Sequence, residues 1–176
     1  MRKQERTLQQ LDPLAAGTSW DVALFFGIGT WAYAVLISMS NYRQIDHPEY
    51  LTAALVALTA AIVLHLWSAA PRHAPYTRRN YSVVVLLVIS AGAFEIVSDG
   101  GGTISMLTDW GPIAVALVFA SSSGYRPLPD QYYAGLVAVV TLGAMLAFDG
   151  VEHDLPFGLA YFTVAGVSLI AIVVLG

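Results

Sequence analysis

The sequence contains no cysteine, and charged residues make up only 11% of its 176 positions. Without cysteine there is no disulfide, no thiolate metal site and no cysteine nucleophile. Soluble domains carry about 25% charged residues, so a chain of this composition, with a mean hydropathy of +0.65, is solvated mainly by lipid. The composition therefore predicts an integral membrane protein.

Several kinds of chemistry are excluded by residues that are missing. The only lysine is Lys3, so no helix offers a lysine for a retinal Schiff base. His65 is the one histidine well inside an apolar segment, whereas a bis-histidine haem site needs two. No phosphate-binding glycine motif and no zinc-protease motif occurs. Ser123 falls in a predicted loop, away from any histidine base, so serine nucleophile chemistry is not expected either. We expect no catalytic motif and no cofactor in this chain.

Six apolar segments follow a polar beginning. Each is close to the ~17–25 residues that cross about 30 Å of hydrocarbon as a helix, and lipid requires helices because it leaves backbone groups without water. Short connections favour antiparallel neighbours. The segments cover residues 20–37, 50–70, 81–97, 104–120, 132–148 and 157–176. The sequence thus predicts an all-α polytopic membrane domain over residues 20–176, with six transmembrane helices in three antiparallel hairpins. Residues 1–19 form a cytoplasmic N-terminal arm, either as a short surface helix or disordered.

The basic residues predict the orientation. All but one of the eight lysines and arginines lie before the first segment or in the connections that share its side: Arg2, Lys3, Arg6, Arg72, Arg78, Arg79 and Arg126. Only Arg43 falls on the other side. The positive-inside rule then places both termini in the cytoplasm, and we expect the protein in the cell (plasma or inner) membrane. Arg72, Arg78 and Arg79 form a basic loop that is suited to anionic lipid headgroups.

Acidic residues near the outer ends of two segments are the first candidate site. Glu95 and Asp109 stand near the ends of adjacent predicted helices, with Asp99 between them. Carboxylates within a span are costly and usually face the bundle interior or water. If Glu95 and Asp109 meet, their repulsion favours a shared proton or cation. Glu95, Asp99 and Asp109 therefore form a candidate ligand- or proton-sensing set; the alternative is that the carboxylates reach into headgroup water.

Gly111 and Pro112 follow this acidic stretch. Proline lacks the backbone N–H and disfavours a straight helix, so the outer end of the fourth helix is predicted to be kinked or unwound there. Such a break acts either as a hinge or as a simple structural kink.

A third candidate lies between the last two segments. If that stretch is helical, Asp149, Glu152 and His153 share a face and offer oxygen and imidazole ligands to a divalent metal. Gly150 and Pro156 favour a turn instead, in which case the segment is a solvated acidic loop. His65 is expected to be a neutral, hydrogen-bonded packing residue, with a proton relay as the alternative.

Two stretches resemble a known family. Residues 109–116, Asp-Trp-Gly-Pro-Ile-Ala-Val-Ala, and 124–130, Gly-Tyr-Arg-Pro-Leu-Pro-Asp, are similar to the multi-pass N-terminal membrane region of actinobacterial sensor histidine kinases. The resemblance implies dimerisation and signalling into a cytoplasmic module for histidine phosphotransfer and ATP binding. No such module occurs in these residues, and the apolar ending at Gly176 leads us to expect one beyond it.

These observations predict a membrane-embedded sensory or input domain of a two-component signalling protein. A stimulus at the outer acidic surface or in the bilayer would shift helix packing. The alternatives are a small secondary transporter or channel, and a structural subunit of a membrane complex. We expect the lipid bilayer and either a second copy of the chain or a partner membrane subunit as partners, and no nucleic acid.

Overall fold

The described part of the chain is entirely helical. The computed structural model describes residues 13–73, 76–98, 110–122 and 124–148, except for the side chains of residues 13–18, 44, 128 and 143–148. Within these ranges there are five α-helices and no strand. They are α1 (Pro13–Asn41), α2 (Pro48–Ala69), α3 (Arg78–Ser98), α4 (Gly111–Ser122) and α5 (Leu128–Phe148). Short 3-10 turns, Tyr42–Gln44 and Pro71–His73, follow α1 and α2.

Three helices are long and apolar enough to cross a membrane. They are Ser19–Asn41 within α1, and the whole of α2 and α3. This finding agrees with the lipid-solvated composition. Helix α4 is also apolar, but it has only 12 residues. The predicted segment at residues 157–176 lies outside the described residues.

Proline sets several helix boundaries. Pro48 occupies the first turn of α2, where a backbone N–H has no helical acceptor and its loss costs nothing. Ala70 ends α2 with ψ at 134°, the extended conformation that a following proline imposes. At the beginning of the chain the helix is longer than predicted, because α1 begins at Pro13 and includes residues 13–19 of the predicted arm.

Helices α2 and α3 run in opposite directions. At one end of the α2–α3 pair, the His47 N–H donates to the Ser98 carbonyl at 3.1 Å. At the other end, the Asn80 side-chain amide donates to Ser68 Oγ at 3.0 Å. The contact between α2 and α3 is the most extensive in the described bundle, and α4 packs against both α1 and α3. We call the two ends the Glu95 end, at residues 41–48, 98 and 110, and the His65 end, at residues 70–73, 76–78 and 124–130.

Small and branched side chains fill the core. In lipid, helices have no strong hydrophobic driving force for association, so they associate through the close packing of small residues. Fully buried members include Ala54, Ala61, Val84, Val88 and Ala91. Large apolar side chains instead project outward from α1 and α2, among them Phe25, Ile28, Leu36, Val56 and Val63. The bundle thus carries large apolar side chains on the outer surface of these two helices.

Candidate functional site

Glu95 caps the beginning of α4 from the neighbouring helix α3. Its side chain is buried, with 3% of the residue exposed. Oε1 accepts a hydrogen bond from the Trp110 N–H at 2.9 Å, and Oε2 accepts one from the Gly111 N–H at 3.2 Å. The first N–H groups of a helix have no acceptor within it, and the helix dipole makes this end attractive to an anionic group. The carboxylate therefore supplies acceptors that α4 itself lacks.

A tryptophan joins this cap to α1. The Trp110 indole N–H donates to Ser38 Oγ at 3.0 Å, and both residues are buried. A buried indole requires such an acceptor. Helices α1, α3 and α4 consequently meet through polar contacts at one point. We refer to Ser38, Glu95, Trp110 and Gly111 as the Glu95 site.

A close approach of two glycines gives the Glu95 site its geometry. A Cβ atom placed on Gly111 would lie 2.7 Å from Glu95 Oε2 and 2.9 Å from the Cα of Gly92. It would also lie 3.2 Å from the Gly92 carbonyl oxygen. A side chain at position 111 would collide with α3, so glycine there lets α3 and α4 come this close. The carboxylate reaches the helix beginning because the backbones are nearly in contact.

The sequence-predicted residues of this region are placed only in part. Glu95, Gly111 and Pro112 lie together, whereas Asp99 and Asp109 fall outside the described residues. Pro112 lies in the first turn of α4, and the helix begins at Gly111. In the first turn a backbone N–H has no acceptor within the helix, so its absence in proline costs no helical hydrogen bond. The hinge function of Gly111 and Pro112, and the meeting of Glu95 with Asp109, stay predictions.

A second buried polar group lies at the other end of α4. His65, on α2, has no exposed surface. Its Nδ1 is 3.1 Å from the Tyr76 hydroxyl, and its Nε2 is 3.0 Å from Ser121 Oγ. Ser121 also donates to the Val118 carbonyl at 2.8 Å. We refer to His65, Tyr76 and Ser121 as the His65 site.

The hydrogen bonds assign the tautomer of the imidazole. A serine hydroxyl has a single hydrogen, and that of Ser121 is given to the Val118 carbonyl. His65 must then donate its Nε2–H to Ser121 and accept at Nδ1 from Tyr76. Every polar atom of the ring has a partner while the ring is neutral. The expectation of a buried, hydrogen-bonded histidine is confirmed, whereas its packing role and the alternative of a proton relay stay predictions.

Aromatic side chains enclose the imidazole. The ring centroid of His65 is 5.6 Å from that of Tyr76 and 6.2 Å from that of Tyr125. Burial raises the pKa of Tyr76 and that of Tyr125 well above the ordinary value for tyrosine. Tyr76 therefore keeps its proton in any physiological environment and remains the donor to His65.

Ion pairs organise the surface beside the His65 site. Arg126 donates to the Tyr76 carbonyl at 3.0 Å and pairs with Asp130 on α5. Arg78 Nε lies 3.5 Å from Asp130 Oδ1. The three arginines predicted to meet lipid headgroups, Arg72, Arg78 and Arg79, are all exposed, and Arg78 also faces a carboxylate. Contact with headgroups stays a prediction for all three.

The described residues contain no group of three His, Asp or Glu side chains that could hold a metal ion. The predicted metal ligands Asp149, Glu152 and His153 lie outside the description. Sequence reasoning also passed over Ser38, Tyr76 and Ser121, whose hydroxyls are ordinary in a sequence. The signal that could have found them is the requirement of Trp110 and His65 for buried partners.

The fold and its polar contacts define an all-helical protein with three candidate membrane spans. Its short helix α4 is held at both ends by buried side chains of other elements. Comparisons with protein-family models, with curated proteins and with solved structures find no match.

The His65–Tyr76 hydrogen bond is expected to contribute measurably to stability. Replacing Tyr76 with phenylalanine leaves Nδ1 without its donor and should lower the free energy of unfolding by about 1–2 kcal/mol. In a double-mutant cycle with His65→Leu, the coupling should be about 1 kcal/mol. Tyr133→Phe, at a site where 64% of the residue is exposed, should change stability by less than about 0.5 kcal/mol. Denaturant unfolding in micelles measures all three values, and a coupling near zero would contradict the assigned hydrogen bond.

Proposed function

We propose that this chain is the membrane-embedded sensory or input domain of a signalling protein, of the two-component histidine-kinase type. The observation that carries the proposal is the attachment of α4. Glu95 of α3 binds its first turn, and His65 of α2 binds Ser121 in its last turn. A short helix held at both ends by ionisable side chains can be displaced when either contact changes.

The proposed detecting set comprises Glu95, Asp99 and Asp109, with Gly111 and Pro112 as the hinge. A stimulus that weakens the Glu95 contacts frees the first turn of α4, and the helix shifts against α1 and α3. The displacement reaches Ser121 and the loop that carries Tyr125 and Arg126. Helix shifts of this kind are a usual means of switching, provided that the stimulus has different affinities for the two states.

The remaining features of the proposal concern topology. We place six spans in the plasma or inner membrane, arranged as three hairpins, with both termini in the cytoplasm. The His65 end is then cytoplasmic and the Glu95 end faces outward. Support comes from the distribution of basic residues and from the opposite directions of α2 and α3. Dimerisation, or association with a partner subunit, would transmit the shift to the cytoplasm.

A transporter requires a polar path between the two sites, and the described helices argue against one. Between Glu95 and His65, the buried face of α4 carries Ala114, Val115 and Val118. Transport sites normally contain unwound helices and polar groups near the middle of the membrane. The sensory function is therefore the better supported of the two.

The movement of the His65 end can be measured with spin labels because the chain has no cysteine of its own. Labels on Arg72→Cys and Pro127→Cys, both at exposed sites, report the distance between the loops after α2 and α4. In liposomes, Glu95→Gln should shift the mean distance by about 1–2 Å or more.

Glu49→Gln is the matched control, since Glu49 lies at the same end of the bundle with an exposed side chain. It should leave the distance distribution unchanged. If the distance distribution of Glu95→Gln is the same as that of the wild type, the sensory assignment of Glu95 is wrong. Proton flux into the same liposomes that disappears in Glu95→Gln would support the transporter instead.

A further inference from the structure

A cavity of about 360 Å³ lies between α1 and α2 near the Glu95 end. Its walls are mainly apolar, with hydroxyl groups at Ser38, Thr52 and Tyr42; the apolar lining comprises Val35, Met39, Leu51 and Leu55. Its volume falls within the range of about 300–1,000 Å³ that is usual for small-ligand sites. Ser38 in this wall is the acceptor of the Trp110 indole. The cavity therefore borders the Glu95 site.

The surroundings of the cavity indicate where an occupant comes from. Both α1 and α2 are apolar enough to span a membrane. Apolar side chains near the opening project outward: Leu36 is 64% exposed, Met39 73% and Val56 65%. In a bilayer these side chains face hydrocarbon, so the molecules that reach the opening are lipids.

A basic residue lies beside the cavity wall. Arg43 follows Tyr42 directly and is exposed. Among the described residues, no carboxylate forms an ion pair with it. Arg43 is also the one basic residue of the predicted outer connections. Its guanidinium complements the phosphate of a lipid whose chain enters the cavity, and guanidinium groups suit phosphate well.

We propose that this cavity binds one acyl chain of a membrane phospholipid whose phosphate lies on Arg43. The Ser38 hydroxyl, which accepts from Trp110, can also donate to an ester carbonyl of that lipid. Lipid binding would then act on Trp110, and through it on the beginning of α4. This second step rests on the proposed sensory function and names a lipid as the class of stimulus; the binding itself does not depend on it.

Quenching of Trp110 fluorescence by lipids brominated on the acyl chain tests the binding. The full chain, with Trp20, Trp31 and Trp67 replaced by phenylalanine, retains only Trp110, which is 1% exposed. Bulk lipid does not reach a buried indole, whereas a chain in the cavity lies beside Ser38. We expect brominated phosphatidylglycerol in nanodiscs to quench Trp110.

Val35→Phe fills the cavity and should abolish this quenching. Ile28→Phe, an equal change on the lipid-facing surface of α1, should leave it intact. Arg43→Gln should weaken retention of phosphatidylglycerol by about fivefold in competition with a neutral lipid, because one surface arginine is lost. The proposal is wrong if the parent protein shows no quenching, or if Val35→Phe is quenched equally. It is also wrong if the quenching depends on protein concentration, as it would if a second copy of the chain occupied the cavity.

Spin labels at residues 72 and 127 separate lipid binding from signalling. If lipid quenches Trp110 and also shifts the label distance, lipid binding and its role as a stimulus are both supported. If lipid quenches Trp110 without shifting the distance, the binding site stands and its role as the stimulus is wrong.

Discussion

Replacing Glu95 with alanine is expected to lower the free energy of unfolding by about 3–5 kcal/mol, because two buried N–H groups lose their acceptors and each costs about 1–3 kcal/mol. The groups are those of Trp110 and Gly111, which the carboxylate binds at 2.9 and 3.2 Å. Glutamine at this position keeps one acceptor oxygen and turns a donor toward the other N–H. Glu95→Gln should therefore fall between the wild type and Glu95→Ala. Unfolding in mixed micelles, followed by circular dichroism, gives the three values.

Glu49→Ala is the control for the loss of a carboxylate at the same end of the bundle. Its side chain is 65% exposed and contacts only His47 among the described ionic groups. Exposed ion pairs contribute little, so the change in stability should stay below about 0.5 kcal/mol. A loss of similar size in Glu49→Ala and Glu95→Ala would show that the cap at α4 has no particular importance.

Replacing Gly111 with alanine is expected to cost about 2–3 kcal/mol, as overpacking of a tight helix contact does. The added Cβ would lie 2.9 Å from the Cα of Gly92, a backbone atom that cannot move aside alone. Relief requires α3 and α4 to separate, which lengthens the hydrogen bonds to Glu95. Gly111→Ala should consequently also increase hydrogen exchange at the amides of Trp110 and Gly111.

Gly29 provides the matched control within α1. A Cβ there meets no atom within 4 Å, and alanine favours a helix over glycine by up to about 1 kcal/mol. Gly29→Ala should thus leave the protein unchanged or slightly more stable. If Gly111→Ala is equally harmless, the close packing of α3 on α4 at Gly92 is wrong.

The long helices could be predicted from the sequence because lipid constrains them strongly. The predicted segments at residues 50–70 and 81–97 correspond to Pro48–Ala69 and Arg78–Ser98. Apolar length suffices for such predictions. It does not suffice for α1, whose first turns include polar residues that hydropathy assigns to the arm.

The candidate site could be predicted only on one side of each contact. Glu95 stood out as a carboxylate in an apolar run, but its partners are backbone N–H groups, which every residue has. Their role depends on where α4 begins and on the proximity of Gly92, and both are consequences of packing. His65 was similarly conspicuous, whereas its partner Ser121 is one of several serines. Ionisable residues can be recognised one at a time in a sequence, but identifying their partners requires the folded structure.

The length of α4 has a consequence for its environment in a bilayer. Its 12 residues extend about 18 Å, whereas the 21 residues of α3 extend about 31 Å. When α3 crosses the hydrocarbon, both ends of α4 lie within that layer, where water does not reach. Backbone groups there must be satisfied by protein: Glu95 does so at the beginning, and Ser121, Ser122 and the Tyr125 N–H do so at the end. At both ends of this short helix, groups of the protein thus make the hydrogen bonds that water makes at the ends of a helix that reaches the membrane surfaces.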